Sequence, residues 1–163
     1  MKVHRLNKKQ KISKNISEVF DFFSRPENLS KITPKRLGFN IMTPSPIKMK
    51  EGQLIDYTIN ILTFPIRWTT MITEYEPPHR FVDQQIKGPY SMWHHTHTFK
   101  EVDKNETLIE DVILYTMPLG PFGDIAHSLY VRRDLENIFR YREKTINEIF
   151  SLSDSNINGE NIT

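Results

Sequence analysis

From residue 37 to residue 117 the chain alternates runs rich in Ile, Val, Thr, Tyr and Phe with turn signals. No other feature constrains its fold as tightly. The signals are Thr43-Pro44-Ser45-Pro46, Glu51-Gly52, Phe64-Pro65, Pro77-Pro78 and Gly88-Pro89. Proline fixes φ and glycine frees it, so both punctuate regular structure. The runs at 37–42, 53–62, 66–75, 80–86, 91–102 and 107–117 read as strands. β-Branched and aromatic side chains suit a pleated, half-buried surface, and alanine, the strongest helix former, occurs once, at Ala126. Several runs are long, as a strongly bent antiparallel sheet requires.

Helices bracket these strands. Ser17 is placed to cap Glu18-Val19-Phe20-Asp21-Phe22-Phe23, with Glu18 in the first turn where the helix dipole favours an acid. Pro26 ends that helix, and 27–32 reads as a second short one. The segment 124–150 is the clearest helix, with Leu135, Ile138, Phe139, Ile146, Ile149 and Phe150 at the helical period. Its length approaches roughly 40 Å at ~1.5 Å per residue. The sequence thus predicts an α+β order: one strand, two short helices, six strands and a long helix. A curved seven-stranded antiparallel sheet has one apolar face, which a single helix cannot fill. A cavity is expected between them. One domain is expected over 1–150, with a disordered polar tail at 151–163.

Composition removes several function classes. The 163 residues contain no cysteine, which excludes disulfides, thiolate zinc sites and Cys nucleophiles. Twenty-two Lys and Arg against 20 Asp and Glu leave a net charge of +2, too balanced for a phosphate-dominated partner, so no nucleic acid is expected. Lys8, Lys9, Lys11 and Lys14 lack the interleaved aromatics of a nucleic-acid platform and read as a solvated strand edge. No apolar run reaches the ~18 residues of a membrane span, and Met1-Lys2-Val3-His4-Arg5 leads into no apolar signal region. A cytoplasmic protein is expected. No Gly-x-Ser-x-Gly, Gly-x-Gly-x-x-Gly or P-loop occurs.

The most informative run is 91–102, where Trp93, His95, His97 and Phe99 share one face, read as inward. If turns at 87–90 and 103–105 set the register, Asp83 lies opposite His95, His97 opposite Asp111 and Trp93 opposite Tyr115. A one-residue slip reverses every one of these side chains. Leu108, Val112 and Leu114 serve equally well as the inward set of the last strand. Pairs His95/Asp83 and His97/Asp111 suit a general base or a polar ligand clamp, because a carboxylate fixes an imidazole's tautomer and raises its basicity. They serve equally as cross-strand polar pairs that satisfy one another. Their spacing matches no characterised zinc motif, so neither metal nor cofactor is expected. Arg142 falls inside the apolar stripe of the long helix, where a guanidinium needs a carboxylate, a carbonyl, a bound anion or a route to the helix margin. Tyr57 and Trp68 sit at strand spacing either as core or as pocket wall. Pro118-Leu119-Gly120-Pro121-Phe122-Gly123 suits a loop over a cavity mouth or a plain connection.

Several short strings are found together in order: Phe22-Phe23-Ser24-Arg25-Pro26-Glu27-Asn28-Leu29 with Ile32-Thr33-Pro34, and Pro77-Pro78-His79-Arg80-Phe81-Val82-Asp83. Gly88-Pro89-Tyr90, Trp93-x-His95-x-His97-x-Phe99, Asp111 with Tyr115-Thr116-Met117-Pro118-Leu119-Gly120, and Ile138-Phe139-Arg140-Tyr141-Arg142 complete the set. In these the chain resembles the SRPBCC, or START-like, ligand-binding superfamily in its polyketide cyclase/dehydrase-type bacterial branch. The resemblance implies the helix-grip fold with a hydrophobic tunnel between sheet and helix. It does not fix an activity, since the superfamily includes lipid carriers, receptors, cyclases, co-chaperone-like proteins and quinone-binding proteins.

The first expectation is therefore a carrier or binding protein for a small, mostly apolar molecule with a polar or anionic end, such as a lipid, isoprenoid, quinone or polyketide. Tyr57, Trp68, Trp93 and Tyr115 would wall the pocket. Asp83, His95, His97, Asp111 and Arg142 would orient the polar end. The alternatives are a cyclase or dehydratase with His95 or His97 as base, and a protein-interaction module. Oligomeric state is left open.

Overall fold

A computed structural model of the chain describes residues 2–61 and 63–159, with side chains at all of these except 128 and 152–159. The strands are β1 (His4–Ile12), β2 (Asn40–Ile41), β3 (Leu54–Ile61), β4 (Phe64–Glu76), β5 (Arg80–Lys87), β6 (Met92–Asp103) and β7 (Glu106–Thr116). They form one antiparallel sheet in the order β1-β7-β6-β5-β4-β3-β2. After β1 comes α1 (Ile16–Phe23), then 3-10 turns at Pro26–Ser30 and Lys35–Leu37. After β7 come α2 (Pro121–Ala126), a π-helical turn at His127–Val131 and α3 (Arg132–Gly159). This is the α+β helix-grip architecture expected. Among the described residues no helix is long and apolar enough to cross a membrane.

Strand alternation settles which residues point inward. In β6, Trp93, His95, His97 and Phe99 are all buried, while their neighbours are less so. In β7 the inward set is Thr107, Ile109, Asp111, Ile113 and Tyr115, not Leu108, Val112 and Leu114. The registers follow the turns: Asp83 faces His95, His97 faces Asp111 and Trp93 faces Tyr115. Between β4 and β5 the register shifts twice, at Thr69/Thr70 and Ile72/Glu74. Such irregularities bend a strand and increase its twist.

Helix boundaries differ from the sequence reading in ways that local chemistry explains. Asn15, not Ser17, caps α1; its Oδ1 accepts from Glu18 N at 3.0 Å. Starting there brings buried Ile16 into the helix's inward face with Val19 and Phe20. The segment read as a helix at 27–32 is a 3-10 turn beginning at Pro26. Of 37–42 only Asn40–Ile41 form a strand against β3, with Met42 N adding a 2.7 Å bond to Asp56 O, because Leu37 ends a 3-10 turn and Gly38 follows at φ +50°. The C-terminal helical segment begins at Pro121, a residue suited to a first helical position, and the 118–123 loop is correspondingly shorter. Gly123 permits the tight entry, since a Cβ there would stand 1.9 Å from Pro118 O. Beyond Phe150 the backbone of α3 continues to Gly159. Leu62, the end of the 53–62 run, and tail positions 160–163 lie outside the described residues.

One end of the interior is solid. There Val19 and Phe20 of α1 pack with Phe81, Phe99, Ile109, Ile146 and Phe150. Phe20 meets the edges of Phe81 and Phe99 at 6.0 and 5.2 Å between ring centres. Toward the other end, Trp68, Trp93, Ile113 and Tyr115 pack with Leu135 and Phe139 of α3. The basic edge is partly as expected: Lys9 and Lys11 are exposed and pair with Glu110 and Glu106, whereas Lys14 is buried and lies 3.6 Å from Glu18.

Candidate functional site

Between sheet and α3 lies a cavity of about 610 Å³, with a predominantly apolar wall. This is within the range of small-molecule sites. β3 contributes Tyr57, β4 Trp68 and Thr70, β5 Asp83, and β6 Trp93, His95 and His97; α3 closes the space with Leu135, Ile138, Phe139 and Arg142. Seven of the nine site residues expected from the sequence are on this wall. Asp111 and Tyr115 are not. Tyr115 is buried behind the wall, its hydroxyl hydrogen-bonded with His127 Nε2 at 2.8 Å.

The apolar part is a group of aromatic rings. Trp68 stacks on Tyr57 at 5.8 Å and meets Trp93 edge to face at 5.4 Å. Burial pushes the Tyr57 and Tyr90 phenols up, so both stay neutral at any physiological pH. Tyr57 shares a 3.4 Å hydrogen bond with Thr70. The buried Trp68 Nε1 has no hydrogen-bond partner among the described residues.

The polar part is a square of two imidazoles and two carboxylates. The cross-strand register is the one read from the sequence, yet the well-formed hydrogen bonds run diagonally across it. His95 Nε2 lies 2.9 Å from Asp111 Oδ1, and His97 Nε2 lies 2.9 Å from Asp83 Oδ2. The directly opposed pairs also approach: His97 Nδ1 is 2.7 Å from Asp111 Oδ1, and His95 Nδ1 is 3.4 Å from Asp83 Oδ2. The 2.7 Å contact lies off the line of the ring N–H and makes no hydrogen bond. The diagonal arises because inward side chains on adjacent strands lean along the strands, so a neighbour one step away can be better aligned than the one opposite.

Burial and charge set the square's electrostatics. Burial would raise Asp111, but both imidazoles outweigh it and hold its carboxyl well below the ordinary value. Asp83 is held low against the same penalty by His95 and His97, with Arg142 adding to them. Burial would lower both histidines. For His97 the facing carboxylates win and its pKa rises; for His95 burial and the neighbouring His97 win and its pKa falls. Arg142 is half-buried on the cavity wall, with its guanidinium 5.3 Å from the Phe139 ring centre. Among the described residues it makes no ion pair.

Two features escaped the sequence reading. Arg36, from the 3-10 turn after α1, pairs with Asp134 of α3 at 2.5 Å, and both line the cavity. Asp134 stands four residues before Ile138, which is a signal for the cavity-side face of α3. Second, Ala126, Tyr130 and Val131 line the cavity, while Leu119, Phe122, Ile125 and Leu129 of the same region stand exposed.

No protein-family model matches the chain, and no curated protein matches it. Solved structures do. Zhui aromatase/cyclase from Streptomyces sp. R1128 superposes with a TM-score of 0.73 at 10% identity, covering 92% of this chain and 94% of that one. A START superfamily protein from Mycobacterium smegmatis gives 0.68 at 12% identity, covering 90% and 99%. A norcoclaurine synthase from Thalictrum flavum, in complex with a transition-state analogue, gives 0.67 at 14%, covering 93% and 96%. The molecule is thus a helix-grip protein built around a hydrophobic cavity. It shares this fold with solved structures that include a START superfamily protein and an aromatase/cyclase.

Proposed function

We propose that this protein binds a small, mostly apolar molecule that carries one polar or anionic end. One observation carries the reading: a cavity of about 610 Å³ with a largely aromatic and aliphatic wall holds the Asp83, His95 and His97 group with Arg142 acting on Asp83, while the other charged side chains on the wall are Arg25 and the mutually paired Arg36 and Asp134. Such a division suits a ligand whose apolar body is buried by the hydrophobic effect and whose polar end fixes its orientation. Arg142 supplies a cation that no carboxylate of the described residues takes up in an ion pair, which favours an anionic or carbonyl oxygen. The folds of a START superfamily protein and of an aromatase/cyclase are both compatible with this.

Both tryptophans of the chain, Trp68 and Trp93, are on the cavity wall, so intrinsic fluorescence reports its occupation directly. Native mass spectrometry of the purified protein, followed by fluorescence titration with any co-purifying compound, tests the reading. A mass adduct that is removed by unfolding, and rebinds saturably with a change in tryptophan emission, is expected. Absence of any adduct, with emission unmoved by fatty acids, quinones and polycyclic phenols alike, refutes it.

A second reading is an enzyme of the cyclase or dehydratase kind, favoured by the exposure of both imidazoles to the same cavity. His97→Ala would then reduce turnover by roughly 10²–10⁴-fold with ligand affinity retained. Equal loss of both belongs to a binder.

A further inference from the structure

We propose that Asp83, His95 and His97 form a binding site for one divalent transition-metal ion of the zinc class, with Asp111 as the carboxylate that orients both imidazoles. One donor atom from each of the three residues lies within 4.8 Å of the other two. Asp83 Oδ2 stands 2.9 Å from His97 Nε2 and 3.4 Å from His95 Nδ1. Tetrahedral ligands about 2.0–2.2 Å from zinc stand roughly 3.3 Å from one another, so these separations are nearly those a bound ion imposes. Of the remaining nitrogens, His95 Nε2 hydrogen-bonds with Asp111 Oδ1 at 2.9 Å, and His97 Nδ1 stands 2.7 Å from the same oxygen without a hydrogen bond. Metal-bound histidines characteristically give their other N–H to a carboxylate, and Asp111 is placed for that role.

Two of the square's four nitrogen–oxygen contacts are aligned hydrogen bonds, His95 Nε2 with Asp111 and His97 Nε2 with Asp83, and the buried His97 Nδ1 makes none although Asp111 Oδ1 stands 2.7 Å away. The two rings stand 3.8 Å apart centre to centre. With a cation on the Asp83 side, His95 Nδ1 and His97 Nε2 would become ligands, and the other two nitrogens would be left to donate to Asp111. The ion's charge equals that of the two carboxylates. Asp83, His95 and His97 are on the cavity wall and Asp111 is not, so the open coordination position faces the cavity. An oxygen of the bound molecule, or water, would fill it, as at zinc sites with three protein ligands. Sequence spacing gave no hint of this, because three ligands from two strands converge only once the register is set. The site stands whether the cavity serves a carrier or an enzyme.

The test uses the full chain without an affinity tag, stripped by a chelator and titrated with zinc by calorimetry. One equivalent is expected to bind and to raise the thermal midpoint. His94→Ala, on the outer face of β6, should leave binding unchanged. His95→Ala combined with His97→Ala should abolish it, and Asp111→Asn should weaken it about 10–100-fold with the stoichiometry kept. Should the buried-site variants fail to fold, histidine NMR of the wild-type chain decides: zinc should shift two of the six imidazoles, His95 and His97. No binding, binding that survives loss of both histidines, or shifts at other imidazoles instead would overturn the proposal.

Discussion

Phenylalanine placed at two positions of α3, eight residues and so about 12 Å apart, separates a hollow interior from a packed one. Ile146 is 1% exposed and belongs to one buried apolar cluster with Val19, Phe20, Phe99 and Ile109, none of which lines the cavity. Ile138 is on the cavity wall. Ile146→Phe forces extra carbons into a region already at close-packed density, which costs about 1–3 kcal/mol. Ile138→Phe extends the same atoms into free volume of about 610 Å³, and its cost should be within about 0.5 kcal/mol of zero. Helix propensity changes equally in the two variants and cancels in the comparison. With a urea m-value of about 2 kcal/mol/M, the two midpoints should differ by roughly 0.5–1.5 M. The assay is equilibrium urea unfolding of protein refolded free of small molecules, with m required to be the same in all three chains. Equal destabilisation by both substitutions would mean that α3 packs against filled space at Ile138, and the ligand-binding proposal would lose its basis.

Two further outcomes follow from particular contacts. Glu27 accepts hydrogen bonds from Ile47 N at 2.8 Å and Ser45 Oγ at 3.1 Å, and these bonds hold its carboxyl below the ordinary value. Glu27→Ala should cost about 1 kcal/mol at pH 7; because the folded pKa is the lower one, this contribution is full above pH ~5 and fades as pH falls below ~4, so the gap between variant and wild type should narrow in denaturation at pH 3. Arg36→Ala breaks the ion pair with Asp134 at the cavity wall; stability should change by less than about 1 kcal/mol, while stopped-flow tryptophan fluorescence should show faster release of any cavity ligand.

The sequence made most of the fold legible because two independent signals agreed. Turn chemistry set the register, and one buried face per strand forbade the slip that would reverse it. Asp83↔His95, His97↔Asp111 and Trp93↔Tyr115 all follow from those two facts. What failed was local choice. Ser17 and Asn15 both offer capping oxygens, and only the packing of Ile16 decides between them. The stretch 37–42 has strand-forming residues, but Gly38 in a left-handed turn leaves two of them to pair. Arg142 was placed on the inward stripe by periodicity alone, and it does line the cavity. The diagonal in the histidine square was not readable, since register fixes Cα partners and leaves side-chain rotamers free.

The square also shows why the interior is built for something other than stability. On the inward faces of β6 and β7, the positions before it hold Trp93 opposite Tyr115, and those after it hold Phe99 opposite Ile109. Apolar residues at 95, 97 and 111, and at 83 of β5, would continue that pattern and would avoid taking four ionisable groups out of water. Replacing buried charged groups by well-packed apolar ones is often neutral or stabilising by about 1–4 kcal/mol. The chain instead places two carboxylates and two imidazoles together, exposes three of the four to the cavity, and sets Arg142 on the wall of the same space. A fold that needed only to close would have no use for polar groups at the level where sheet and helix part. On the proposals made above, their concentration there would serve recognition of a polar atom of a ligand, a metal ion or both.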